Sequence, residues 1–130
     1  MKVNELRVEN WVYNDDNTYS KIEGIRLFGD VVSNEIEIYS KDNVEGTLSI
    51  SKLSPIPLTE EILLKCGFKN SKSNIITYTY INNPAYYITE IGNCFTFISC
   101  DKIRVRSIKY LHELQNLFFA ITGEELEVEL

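Results

Sequence analysis

The sequence predicts an α+β fold, and three patterns predict it. Short runs of β-branched and aromatic residues, punctuated by turn formers, fill the first 53 residues. A second series of such runs begins near Ile75 and ends at Arg106. Beyond it, Ile108, Leu111, Leu114, Leu117, Phe118 and Ile121 recur at the spacing of one helix face. A chain of 130 residues fits a single domain. At this length a folded chain buries roughly two-thirds of the surface its unfolded form exposes, enough for a core without covalent staples.

The first segment reads as extended, with Val3, Leu6, Val8, Trp11 and Val12 as its apolar positions. Asn14-Asp15-Asp16-Asn17 gathers turn formers into a hairpin loop. Lys21 to Phe28 continues as strand, and Gly24 suits a bulge or tight bend. Gly29-Asp30 is the next turn. Glu35-Ile36-Glu37-Ile38-Tyr39 alternates cleanly, the mark of a strand with one wet and one buried face. Lys41-Asp42-Asn43 then turns the chain into Val44–Ile50. Four or five short strands in this space predict an N-terminal SH3-like small curled sheet over residues 1–54.

Pro55 and Pro57 hold the following stretch extended and keep it out of a ladder. A short helix comes next. Thr59 is its N-cap, Glu60 and Glu61 face its positive end, Leu58 staples onto Leu63, and Gly67 stops it in the left-handed region. A three- or four-stranded antiparallel meander follows, with strands at Ile75–Ile81, Tyr86–Ile91, Cys94–Ser99 and Ile103–Arg106. Ser107 caps a long C-terminal amphipathic helix that Gly123 ends. The helix is expected to lay Ile108, Leu111, Leu114, Phe118 and Ile121 on the sheet. Leu126, Val128 and Leu130 alternate with Glu125, Glu127 and Glu129, the pattern of an edge strand guarded by charge. Residues 55–130 thus complete one domain with the N-terminal β part.

Composition narrows the function classes. The apolar fraction of 44% and the charged fraction of 25% are those of a soluble globular protein. Eight Tyr, six Phe and one Trp argue against disorder. The net charge is −6, shared between residues 1–54 at −4 and residues 55–130 at −2. That balance disfavours nonspecific binding to nucleic acid or to an anionic membrane. Cys66, Cys94 and Cys100 are odd in number and form no C-x-x-C pair. No signal peptide opens the chain, and no apolar run approaches the ~18–20 residues of a membrane span. These features predict a cytoplasmic protein with reduced thiols.

No phosphate-cradling glycine loop, metal-ligand spacing or nucleophile–base set is visible. The expectation is therefore a non-enzyme without cofactor or metal. His112 is the single histidine and reads as a boundary or surface residue. Tyr78, Tyr80, Tyr86 and Tyr87 lie with Phe95 and Phe97 on three consecutive strands. They read as core packing, or, where they face solvent, as a patch that binds a protein partner. Lys102, Arg104 and Arg106 alternate along one strand, with Lys109 just beyond. On one face they would form an anion-binding site for nucleic acid, with tyrosines to stack bases. The alternative is a solvated face whose cations pair with neighbouring glutamates. The tail strand offers a route to a homo-oligomer across a two-fold axis, against the repulsion of its glutamates.

Three segments carry a resemblance: N-E-L-R-V-E-N-W-V at 4–12, P-I-P-L-T-E-E-I-L-L-K-C-G-F at 55–68 and K-Y-L-H-E-L-Q-N-L-F-F-A-I-T-G-E-E-L at 109–126. Together they resemble a family of small uncharacterised proteins from gut Bacteroidales and their phages and mobile elements. Its members more often show Gly where Glu9 stands here, a turn before a barrel strand. The resemblance implies an accessory role in a phage or mobile element and brings no assigned activity. Taken together, the sequence predicts a protein-interaction module. Nucleic-acid association through residues 102–109 is the alternative, and no membrane is involved.

Overall fold

The computed structural model describes residues 1, 3–27, 34–40, 45–71, 76–92, 94–99 and 104–130. In chain order its elements are β1 (Trp11–Tyr13), β2 (Tyr19–Leu27), β3 (Asn34–Ser40), β4 (Glu45–Ser49), α1 (Glu60–Lys65), β5 (Phe68–Asn70), β6 (Ile76–Tyr80), β7 (Tyr87–Ile91), β8 (Cys94–Ile98), β9 (Arg104–Ile108) and α2 (Leu111–Thr122). The strands form two antiparallel sheets, β1–β4 and β5–β9, each in sequence order. The fold is mixed α+β with a C-terminal helix. The chain forms two compact units, Met1–Ile56 with Tyr110–Glu125, and Pro57–Lys109 with Leu126–Leu130. The expected turns at Gly29-Asp30 and Lys41-Asp42-Asn43, together with Cys100 and Lys102, lie outside the described residues.

In the first unit the β1–β2 hairpin closes where the turn formers stand. The Asn14 side-chain oxygen accepts from the Asp16 and Thr18 amides at 3.2 and 3.0 Å. Asn17 takes φ 61°, a region that Asn tolerates. Gly24 marks a bulge in β2. The register passes from Ile22↔Ile38 to Gly24↔Glu37 and leaves Glu23 unpaired. After β4 a 3-10 turn at Ile50–Lys52 leads to Ser54, which exchanges two backbone hydrogen bonds of 2.9 Å with Tyr13. Leu6, Val12, Ile22 and Leu53 form a buried cluster.

The first segment departs from the extended run expected over Val3–Val12. Val3–Glu5 is a 3-10 turn, Glu9 sits at φ 79°, and the strand shrinks to Trp11–Tyr13. The cause is a set of amide side chains on α2. Buried Gln115 donates to the Glu9 carbonyl at 3.0 Å and accepts from the Trp11 amide at 2.9 Å. Asn116 accepts from buried Asn10 at 2.9 Å and donates to the Glu5 carbonyl at 2.8 Å. Backbone groups that would otherwise seek a ladder are satisfied by the helix instead.

The C-terminal helix starts three residues later than its spacing predicts. Ser107 does not cap it. Ser107 and Ile108 belong to β9, opposite Thr96 and Phe95, and Ile108 is buried there. Tyr110 takes the cap position without a side-chain bond. Leu111, Leu114 and Phe118 are buried as expected, whereas Ile121 is exposed. Gly123 ends the helix at φ 73°, its N–H bonded to the Phe119 carbonyl.

In the second unit Thr59 caps α1 as predicted, accepting from the Ile62 amide at 3.2 Å. Gly67 follows at φ 85°, where a Cβ would also meet the Tyr80 ring at 3.4 Å. The chain then enters β5, a three-residue strand too short to register in the sequence pattern, so the meander has five strands. The tail keeps its alternation but forms no ladder. Leu126 and Leu130 are buried, Glu127 and Glu129 are exposed, and the Glu129 amide donates to the Lys65 carbonyl at 3.0 Å.

Candidate functional site

Successive residues of a strand point to opposite faces, so the register of β5–β9 sorts every side chain of this sheet. One face carries Phe68, Tyr78, Ile88, Phe95, Phe97 and Ile108, all buried. The opposite face is open at its margins, where Lys69, Ile91, Cys94, Arg104 and Ser107 are exposed, and half-buried along its middle. Its central row runs Lys69–Thr79–Tyr87–Ile98–Arg104 across all five strands. Beside it runs a hydroxyl row, Thr77–Thr89–Thr96–Ser107, in which Ser107 is exposed, Thr77 and Thr89 are half-buried and Thr96 is buried. At its far margin stand Ile91, exposed at 61%, and Cys94.

Two properties set this face apart. No Asp or Glu stands on it among the described residues, in a chain with 19 carboxylates. Among the described residues its two cations, Lys69 and Arg104, are exposed and have no ion-pair partner. They occupy opposite rims, four strand spacings or about 19 Å apart. Half-buried Tyr87 lies at the centre.

The tyrosines proposed as a binding patch separate accordingly. Tyr78 is a correction: at 2% exposure it belongs to the core. Its ring lies 6.3 Å from that of Phe95, and its hydroxyl donates to Glu90 at 3.0 Å. Burial, reinforced by Glu90, pushes its phenol up to about 12. Tyr80 and Tyr86 are half-buried on the same side, against Phe68 at 5.2 Å and Phe97 at 6.0 Å. Only Tyr87 of the four stands on the open face.

The basic strand is also divided. Lys102 lies outside the described residues. Arg106 pairs with Phe97 and Arg104 with Ile98, so Val105 is an extra, bulged residue. The bulge reverses the alternation and sends Arg104 to the open face and Arg106 to the other. Lys109 lies beyond the strand, where its carbonyl accepts from the Leu58 amide at 2.9 Å. The three described cations therefore do not share one face.

His112 is neither a boundary nor a surface residue; it is 1% exposed. Neither ring nitrogen has a hydrogen-bond partner among the described residues, and the ring stacks on Tyr110 at 5.9 Å. The Glu5 carboxylate is 3.9 Å from Nε2. Burial holds the imidazole below its ordinary pKa, against the opposing pull of Glu113 and Glu5. Cys66 lines a small open recess of about 150 Å³ with Lys65, Tyr80, Glu127 and Glu129. Burial pushes its thiol up to about 12, so at neutral pH it is not a thiolate nucleophile. Among the described residues no three His, Cys, Asp or Glu side chains gather around one point that would hold a metal ion. No helix among them is long and apolar enough to cross a membrane.

Lys69, Thr79, Ile98 and the hydroxyl row escape a reading of the sequence because they converge only through register. One signal was present: threonines at 77, 79, 89 and 96 alternate with Tyr78, Tyr80, Ile88, Phe95 and Phe97. Neither a known protein family, nor a curated protein, nor a solved structure matches this chain.

Proposed function

We propose that the chain is a non-enzymatic interaction module that docks a protein partner on the open face of its second sheet. The observation that carries this reading is a face without a carboxylate among the described residues, with half-buried Tyr87 between two cations that have no ion-pair partner among those residues. Tyrosine supplies a large, rigid contact area at small entropic cost, which suits a binding surface. Hydroxyls beside it both donate and accept hydrogen bonds.

The SH3-like reading of the first unit belongs to the same proposal. Three features support it: the bulge at Gly24, the 3-10 turn after β4, and the return of Ser54 to pair with β1. Such a connection curls a four-stranded sheet toward closure. The accessory role in a phage or mobile element rests on the resemblance of residues 4–12, 55–68 and 109–126. A phage-encoded protein of this kind would act in the host cell cytoplasm.

The test is affinity capture by the tagged full chain from a gut Bacteroidales lysate, with and without nuclease, beside a Tyr87→Ala variant. The expected result is a stoichiometric protein that survives nuclease and is lost from the variant. Recovery of nucleic acid, or partners lost on nuclease treatment, would shift the reading to the basic segment 102–109. Equal capture by Tyr87→Ala would refute the proposed face.

A further inference from the structure

We propose that the partner presents an extended acidic segment, laid across the strands of the second sheet, with carboxylates at both ends and uncharged residues between. This rests on the reading of the open face as the docking surface and adds the chemistry of what docks there.

The argument is one of charge and distance. Among the described residues the face has cations only at its rims, on β5 and β9, and no acidic residue. Between Lys69 and Arg104 the row is Thr79, Tyr87 and Ile98, which offer a hydroxyl, an aromatic ring and an aliphatic side chain. A segment matched to this row carries negative charge at two points about 19 Å apart, or about six residues in an extended chain. Its centre is apolar or hydroxylated, resting on Tyr87 and Ile98 while its backbone meets half-buried Thr89 and exposed Ser107 in the adjacent row. Arg104 can take a carboxylate in two parallel hydrogen bonds, and Lys69 acts as a point charge.

The same geometry disfavours a nucleic acid. A polynucleotide carries charge at every step, so several phosphates would lie over the uncharged centre. The bulge at Val105 turns Arg106 away, which breaks a continuous basic track. The remaining surface of a chain at −6 would repel the ends of a longer strand.

The experiment measures fluorescence anisotropy of labelled peptides with the 130-residue chain. Three peptides share an uncharged Thr, Val and Tyr centre, and their end residues, about six positions apart, are Glu, Gln or Lys. An oligothymidine of about 20 nucleotides is the nucleic-acid probe. The protein variants are Lys69→Glu with Arg104→Glu, the milder Lys69→Gln with Arg104→Gln, and Tyr87→Ala, each checked for fold by circular dichroism. The Glu-ended peptide is expected to bind about tenfold tighter than the Gln-ended one and to weaken several-fold between about 50 and 300 mM salt. Charge reversal should move the preference to the Lys-ended peptide, and the Gln variant should abolish any preference. Equal affinity for all three peptides, binding of none, or tighter binding of oligothymidine overturns the proposal. If Tyr87→Ala abolishes peptide binding while the charge variants change nothing, the docking face stands and its acidic partner falls. If Tyr87→Ala changes nothing, the face itself is wrong.

Discussion

His112 shows how a single buried group sets a pH limit on the first unit. Its ring nitrogens are buried without hydrogen-bond partners among the described residues, and the carboxylates acting on it are Glu5 and Glu113, opposed by the chain's amino terminus. Folded, the imidazole takes up a proton less readily than the unfolded chain does at its ordinary value of 6.5. As pH falls through that value the unfolded state binds more protons, so stability is lost toward acid and recovered above it. His112→Phe keeps a flat ring beside Tyr110, and its melting temperature should fall less than that of the wild type between about pH 7 and pH 5. Equal slopes would show that His112 does not govern this limb. Glu9 makes a second residue-scale prediction. At φ 79° it occupies a region costly to a side chain, while its ion pair with Lys21 is more than a third exposed on both sides. Glu9→Gly should therefore be more stable than Glu9→Ala by about 1 kcal/mol in denaturant unfolding, because both lose the ion pair and only Gly relieves the backbone. The turn at Asn14–Asn17, the Thr59 cap and the stops at Gly67 and Gly123 were legible because each depends on neighbours within a few residues. The burial of His112 was not, because it depends on where the helix starts.

Elements were legible where local pattern and tertiary packing agree, and misread where a distant partner intervenes. The helical spacing from Ile108 to Ile121 is genuine, yet Ile108 is claimed by the β8–β9 ladder opposite Phe95 and the helix begins at Leu111. The strand expected from Val3 is dismantled by the Gln115 and Asn116 amides, more than 100 positions away. β5 escaped notice at three residues, and it completes the open face by adding Lys69. Arg104-Val105-Arg106 reads as a regular alternation until the bulge breaks it. The tail behaves as its pattern demands, although it forms no strand. Leu126 at 4% exposure anchors it. Leu126→Ala should destabilise the second unit by about 2–4 kcal/mol, while Glu127→Ala, on the exposed alternate, should change stability by less than about 0.5 kcal/mol. Similar losses for the two variants would show that the tail does not anchor through its apolar positions.

For the molecule as a whole, the division into α and β and the two series of strands could be read from the chain. The grouping of α2 with the first sheet could not, because it rests on side-chain amides rather than on periodicity. Function follows the same rule. Local spacing marks no reactive site, and the surface proposed to bind exists only after five strands align. A sheet face with no carboxylate among the described residues, on a chain of net charge −6, is the feature from which the interaction reading grows. A nitrogen–proton correlation titration of the 130-residue chain with the nuclease-resistant protein recovered by capture locates the contact residue by residue. Binding at the open face requires the strongest shifts at the amides of Lys69, Thr79, Tyr87, Thr89, Ile98 and Arg104. Shifts confined to the first unit, around Trp11, Tyr13 and Tyr19, would place the partner elsewhere and contradict the proposed face.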